Sequence, residues 1–174
     1  IEDYDKDFPL LKYPEVLIDH DRTRKVFEFA GELLGDILHV RLRGIWWWTL
    51  GMTWDFIKIR GLENLMLDML VYPDWVHRMM DFLSTSVHRR LDFLEGNGLL
   101  ALNTGGAYVG SGGFGWTSQL PGDDFDPGKV RTIDMWGFAE SQETVGIDPE
   151  AFREFIFPYQ KTILERFGLN CYGC

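Results

Sequence analysis

DPEAFREFIFPYQKTILERFGLNCYGC (148–174) decides the fold, because it reads as a helix that hands the chain to a strand. Asp148 suits an N-cap and Pro149 the first helical position, while Phe152, Phe155, Ile156, Tyr159, Ile163 and Phe167 fall on one apolar face. Pro158 predicts a kink within this helix, and Gly168 predicts its end. LNCYGC then reads as a strand, or a strand followed by a turn, and carries the chain's 2 cysteines, Cys171 and Cys174.

The same grammar recurs upstream. DHDRTRKVFEFAGELLG (19–35) spaces Val26, Ala30, Leu33 and Leu34 as a helix, and ILHVRLRG (37–44) alternates as a strand. GLENLMLDMLVYP (61–73) predicts a helix stopped by Pro73. Asp74 then stands as a cap for a long helix, DWVHRMMDFLSTSVHRRLDFLEG (74–96). GLLALNT (98–104) reads as a buried strand, and another short strand is expected around 133–138. Residues 1–18, with Pro9 and Pro14, read as an irregular arm. Residues 105–131 read as a glycine-rich loop insertion, in which GSGGFG (110–115) matches a dinucleotide-binding pattern only formally, because no helix follows it. A lid over a site or a plain surface excursion are the two readings of that loop. Strands alternating with helices imply parallel βα units, hence an α/β sheet or barrel. Since a whole barrel takes about 250 residues, the expectation for 19–174 is a partial (β/α)8 TIM-type barrel with parallel strands.

Composition narrows the function classes. A formal net charge of −10, from 27 acidic against 17 basic residues, repels phosphate backbones and excludes an ordinary nucleic-acid binder. No apolar run approaches the roughly 18 residues of a membrane span, and IEDYDKDF lacks the parts of a signal peptide. A cytoplasmic protein that meets no membrane is expected. Two cysteines three positions apart cannot staple distant segments, so their chemistry is local.

Reactive side chains in βα folds lie beyond the C-terminal ends of strands, which singles out four places. Arg43 with Trp46 and Trp47 could wall a site for a flat or apolar small molecule bearing a carboxylate, or could simply pack a core corner. Asn103 ends the second expected strand. Glu140, Gln142 and Glu143 follow the third, where a carboxylate can act as acid, base or orienting acceptor, or merely favour a helix start. Cys171 and Cys174 form a Cys-x-x-Cys half-site for zinc, or two buried unreactive thiols. His77 and His88 are expected to be solvated on the polar side of the long helix.

In order, DRTRKVFEFAGELLGD, ILHVRLRG, ENLMLDMLVYPDWVHRMMDFL, IDPEAFREFIFPYQKTILERFG and LNCYGC resemble the middle of the uroporphyrinogen decarboxylase superfamily, which includes tetrapyrrole decarboxylases and zinc enzymes that move methyl groups between corrinoids and thiols. The resemblance covers residues 19–174. It implies a barrel with a deep pocket at the C-terminal strand ends. It also implies a family chain that continues through further βα units, so that 174 residues alone would be inactive. In methyl-transferring members a His-x-Cys pair holds zinc at the end of the strand after the DPEAF-type helix. Here Asn170-Cys171-Tyr172-Gly173-Cys174 stands at that place, without the His. The acidic position of those members falls near Glu140. The expected function is therefore methyl transfer between a corrinoid, free or carried by a corrinoid protein, and a zinc-bound thiolate. Tetrapyrrole decarboxylation without cofactor is the alternative, with Arg41 and Arg43 seating acid groups, and a non-catalytic tetrapyrrole- or corrinoid-binding relative is the third reading. Homo-oligomerisation is compatible with each.

Overall fold

The computed structural model describes residues 1–173. Seven α-helices and four short strands appear among them: α1 (Tyr4–Asp7), α2 (His20–Leu34), α3 (Thr53–Arg60), α4 (Leu62–Val71), α5 (Pro73–Gly96), β1 (Gly105–Gly110), β2 (Gly113–Trp116), β3 (Trp136–Ala139), α6 (Pro149–Phe155), α7 (Phe157–Leu164) and β4 (Leu169–Tyr172). β1 and β2 make an antiparallel hairpin, and β3 and β4 a parallel pair. The chain is thus mixed α and β with one parallel sheet, and the described residues form no closed barrel.

The core is built around α5. Val76, Met79, Met80, Leu83, Val87, Leu91 and Leu94 recur at helical spacing and are all buried, against Phe56 of α3, Leu65 and Met69 of α4, and Phe155, Ile156, Ile163 and Phe167 from the C-terminal helices. Pro73 occupies the first turn of α5 rather than only ending α4, and Asp74 lies within the helix instead of capping it, since Tyr72 holds the N-cap position. His77 and His88 are half-buried bridges rather than solvated groups. His77 Nδ1 meets the Tyr159 hydroxyl at 2.9 Å and His88 Nε2 meets Thr162 Oγ1 at 3.2 Å.

The C-terminal unit follows the expected pattern closely. The Asp148 carboxylate accepts from the backbone N–H groups of Glu150 and Ala151, satisfying donors that a helix start leaves free. The helix breaks at Ile156, and Pro158 sits in the first turn of α7, where its missing N–H costs nothing. After α7 the chain returns as β4 alongside β3, with Trp136, Gly137, Phe138 and Ala139 opposite Leu169, Asn170, Cys171 and Tyr172. That strand–helix–strand crossover is the parallel unit expected from the sequence.

Elsewhere the expectations need correction. Residues 37–44 form no strand: Ile37, Leu38 and Leu42 are exposed, and the alternating pattern finds no neighbouring strand to pair with. Residues 98–104 form no ladder either, although Leu100 is buried. The arm is irregular over residues 11–18, but its first ten residues include a short helix. Asp3 caps α1, and the Tyr4 hydroxyl donates to Asp68 at 2.6 Å while Arg60 grips the same carboxylate through Nε at 2.7 Å and Nη2 at 3.0 Å. Within 105–131, the GSGGFG segment is the turn of the β1–β2 hairpin, with Ser111 and Gly112 both at positive φ, as a tight two-residue turn requires. Gly110 packs so closely on the Phe138 ring that a Cβ there would lie 2.1 Å from its Cγ. The hairpin is therefore docked on β3.

No helix among the described residues is long and apolar enough to cross a membrane.

Candidate functional site

β3 organises the site, because each of its edges and faces is occupied by a different part of the chain. Along one edge runs β4, extended by a bond from Gly173 N–H to the Ala139 carbonyl at 2.9 Å. Along the other, Leu50 N–H donates to the Phe138 carbonyl at 2.8 Å. On that edge the Asn103 side chain also takes the place of a strand, its amide donating to the Trp136 carbonyl at 3.0 Å while its oxygen accepts from Trp136 N–H at 2.9 Å. Asn103 thus caps an open ladder with a side-chain amide.

Strand alternation sorts the faces. Phe138, Cys171 and Glu140 share one, and Gly173 lies beside them, where an added Cβ would sit 3.4 Å from Glu140 Cβ. Tyr172 belongs to the other face, the one covered by α7. Its hydroxyl donates to Gln160 Oε1 at 2.8 Å and lies 3.0 Å from Ser141 Oγ. Gln160 Nε2 in turn donates to the Glu140 carbonyl at 2.9 Å and to Ser141 Oγ at 3.0 Å. Gln160 is fully buried, so this network fixes the backbone that presents Glu140.

Glu140 is 8% exposed. Burial raises its pKa above the ordinary carboxylate value, and the neighbouring Glu143 adds to the rise, while the Trp48 indole pulls it partly back. Glu143 is itself engaged by the Thr53 hydroxyl at 2.6 Å. A carboxyl group that holds its proton above its usual range, at the C-terminal end of a parallel strand, is placed to give or take a proton. Gln142 is exposed on a short turn, Gln142–Thr144, and does not join Glu140. The buried amide next to Glu140 is Gln160, which sequence reasoning missed. Its signal was a polar residue in phase with Ile156 and Ile163 on a core-facing stripe.

Arg43, Trp46, Trp47 and Asn103 do come together, with Tyr108 and Met135, around a cavity of about 100 Å³. Side chains tie this corner: Arg43 donates to the Leu102 carbonyl, and Trp46 Nε1 donates to the Leu99 carbonyl at 2.8 Å. Asn103 lines the cavity with its amide committed to Trp136. The Tyr108 hydroxyl is buried with no hydrogen-bond partner among the described residues, an uncompensated polar group of the kind a ligand atom or water satisfies. Ligand pockets usually span about 300–1,000 Å³, so this space admits an end group of a substrate and not a macrocycle. Trp48 joins the two parts of the site, stacking on Tyr108 with ring centres 4.9 Å apart while its indole faces Glu140. A second hollow of about 330 Å³ opens on the other side, between Ser141, Thr144, Ile147, Phe152, Tyr172 and Gly173.

The thiol Cys171 is half-buried beside Phe138, and Cys174 lies outside the described residues. Among the described residues no three His, Cys, Asp or Glu side chains gather at one point. Those residues do not by themselves make up a zinc ligand set.

Comparison with protein-family models, with curated proteins and with solved structures returned no match.

Proposed function

We propose that the chain forms part of a barrel enzyme of the uroporphyrinogen decarboxylase superfamily, acting in methyl transfer between a corrinoid and a thiol. The observation that carries the proposal is the placing of Glu140 and Cys171 on the face of the β3–β4 pair opposite α7, at the C-terminal end of parallel strands. In a (β/α) barrel that face is the interior and that end is the reactive one. Methyl transfer to a thiol forms a carbon–sulfur bond as the carbon–cobalt bond breaks, with the electron pair left on cobalt. The thiol proton must go elsewhere, and Glu140 is the acceptor whose raised pKa suits the task. A second reading, tetrapyrrole decarboxylation, is favoured by Arg43 at the aromatic cavity, where a guanidinium could seat a carboxylate.

The protein containing this chain is incubated with methylcobalamin and 2-mercaptoethanol, and loss of the methyl–cobalt absorbance is followed. Transfer is expected, with Glu140→Gln lowering kcat by about 10²-fold or more and abolishing one limb of the pH–rate profile. Carbon dioxide release from uroporphyrinogen without methyl transfer would transfer the assignment to the second reading, and neither reaction would leave a binding protein. Stability gives an independent check on Glu140. Because the folded chain holds this proton more tightly, the contribution is complete below the ordinary value of 4.5 and is lost as pH rises through the raised folded value. Glu140→Gln should flatten that decline and leave the variant relatively more stable than the parent at pH 7, as urea unfolding at a series of pH values would read.

A further inference from the structure

The N-terminal arm covers a further cavity that shares no residue with the site at β3. Residues 11–16 cross the angle between α3 and α5 and leave beneath them a space of about 480 Å³. Leu11, Val16, Ile59, Phe82, Leu83 and Val87 give it apolar walls. The arm is held in place independently of any occupant: Tyr13 stacks on Phe82 with centres 4.7 Å apart, and the Arg89 guanidinium lies 4.6 Å from the Tyr13 ring.

Arg90 also lines this space, and its position is costly. Its Nε is buried with no hydrogen-bond partner among the described residues. Burial pulls the guanidinium below its ordinary pKa, opposed only by the charge of Asp55. Asp55 is not its ion-pair partner, standing instead 3.7 Å from Lys58 Nζ. A half-buried guanidinium whose Nε lacks an acceptor, and which has no ion pair, gives up part of its hydration without return. Anionic oxygens meeting its planar fork would restore what burial removed.

We propose that this cavity binds an amphiphilic monocarboxylate, with its carboxylate on Arg90 and its alkyl or aryl tail against Ile59, Phe82 and Leu83. The volume lies within the usual range for small-molecule sites, and the walls are mainly apolar, as such sites require. Charge selects the single carboxylate. Lys12, Lys58 and Arg90 line the space together with Glu15 and Asp55. Three cations against two carboxylates favour one added negative charge, and the acidic pair repels a doubly charged phosphate more strongly.

The test uses the full chain with octanoate and its neutral isostere octanamide, titrated calorimetrically. One saturable octanoate site is expected, with octanamide at least about tenfold weaker. Arg90→Met should erase that preference and also leave the unliganded melting temperature unchanged or higher, because it removes a half-buried cation whose Nε has no acceptor. Asp55→Asn, on an exposed position, should tighten octanoate. Equal affinity for acid and amide, absence of saturable octanoate binding, or a preference that survives in Arg90→Met would each overturn the proposal.

Discussion

α5 and α2 carry the same sequence signal and have opposite fates. Both space their apolar residues at helical period, both are helical in the structure, and both are bounded by suitable start and stop residues. Yet α5 buries eight of its residues, whereas α2 buries none and leaves Val26, Phe29, Leu33 and Leu34 exposed. Periodicity reports the conformation a segment can adopt. It does not report whether a partner surface exists, and most helix stability in proteins comes from that partner.

The sharpest way to break this contrast is a pair of matched truncations. Leu91 is completely buried in the C-terminal part of α5. Leu91→Ala should cost about 2–5 kcal/mol of unfolding free energy, from lost transfer and the cavity left behind. Leu33 is 62% exposed, and Leu33→Ala should stay within about 0.5 kcal/mol. Urea unfolding followed by tryptophan fluorescence measures both. A Leu33→Ala loss comparable with that of Leu91→Ala would mean that α2 is packed in solution and that the contrast is false.

What could be read from the sequence follows the same division. Signals that act within a few residues were legible: the Asp148 cap, the break near Pro158, the long α5 and the terminal strand all stand where local chemistry put them. Signals that need a distant neighbour were not. The alternation of 37–44 promised a strand, but no sheet edge is available to it, and the segment is tied down instead by Arg43 and Trp46 side chains reaching backbone carbonyls near residue 100. Asn103 is singled out by its place at the end of an apolar run and does line the cavity, but that its amide imitates a strand partner for Trp136 is only visible once β3 is in place. At the candidate site, Glu140 is singled out by its position after a strand, and Arg43, Trp46 and Trp47 by theirs after the expected strand at 37–44, which does not form although the three residues do line one cavity. Gln160 and Tyr172 escaped because their roles arise from a helix packing on a strand, not from spacing. α3 has no comparable local signal, because no cap side chain marks the start of its eight residues.

A subtler pair of substitutions tests whether the two kinds of helix are coupled to the same unfolding event. Asp148 accepts from the N–H groups of Glu150 and Ala151 at the start of α6, and Asp19 accepts from Arg22 N–H at 2.9 Å at the start of α2. As local interactions the two caps are of one kind, each worth about 1 kcal/mol on replacement by Ala, although Asp148 accepts one bond more. Their global consequences should differ. α6 supplies Phe155 to the core, so weakening its start weakens the packed state, and Asp148→Ala should lower the urea midpoint by the full cap energy. The 15 residues of α2 bury nothing, and isolated helices of about 12–15 residues are already marginal in water. Asp19→Ala should therefore spend its effect on local fraying, seen as faster amide exchange in the first turns of α2 and a small loss of helical circular dichroism, with the urea midpoint unmoved. Equal midpoint shifts for both variants would show that α2 unfolds with the core, and the independence drawn from its exposed face would fail.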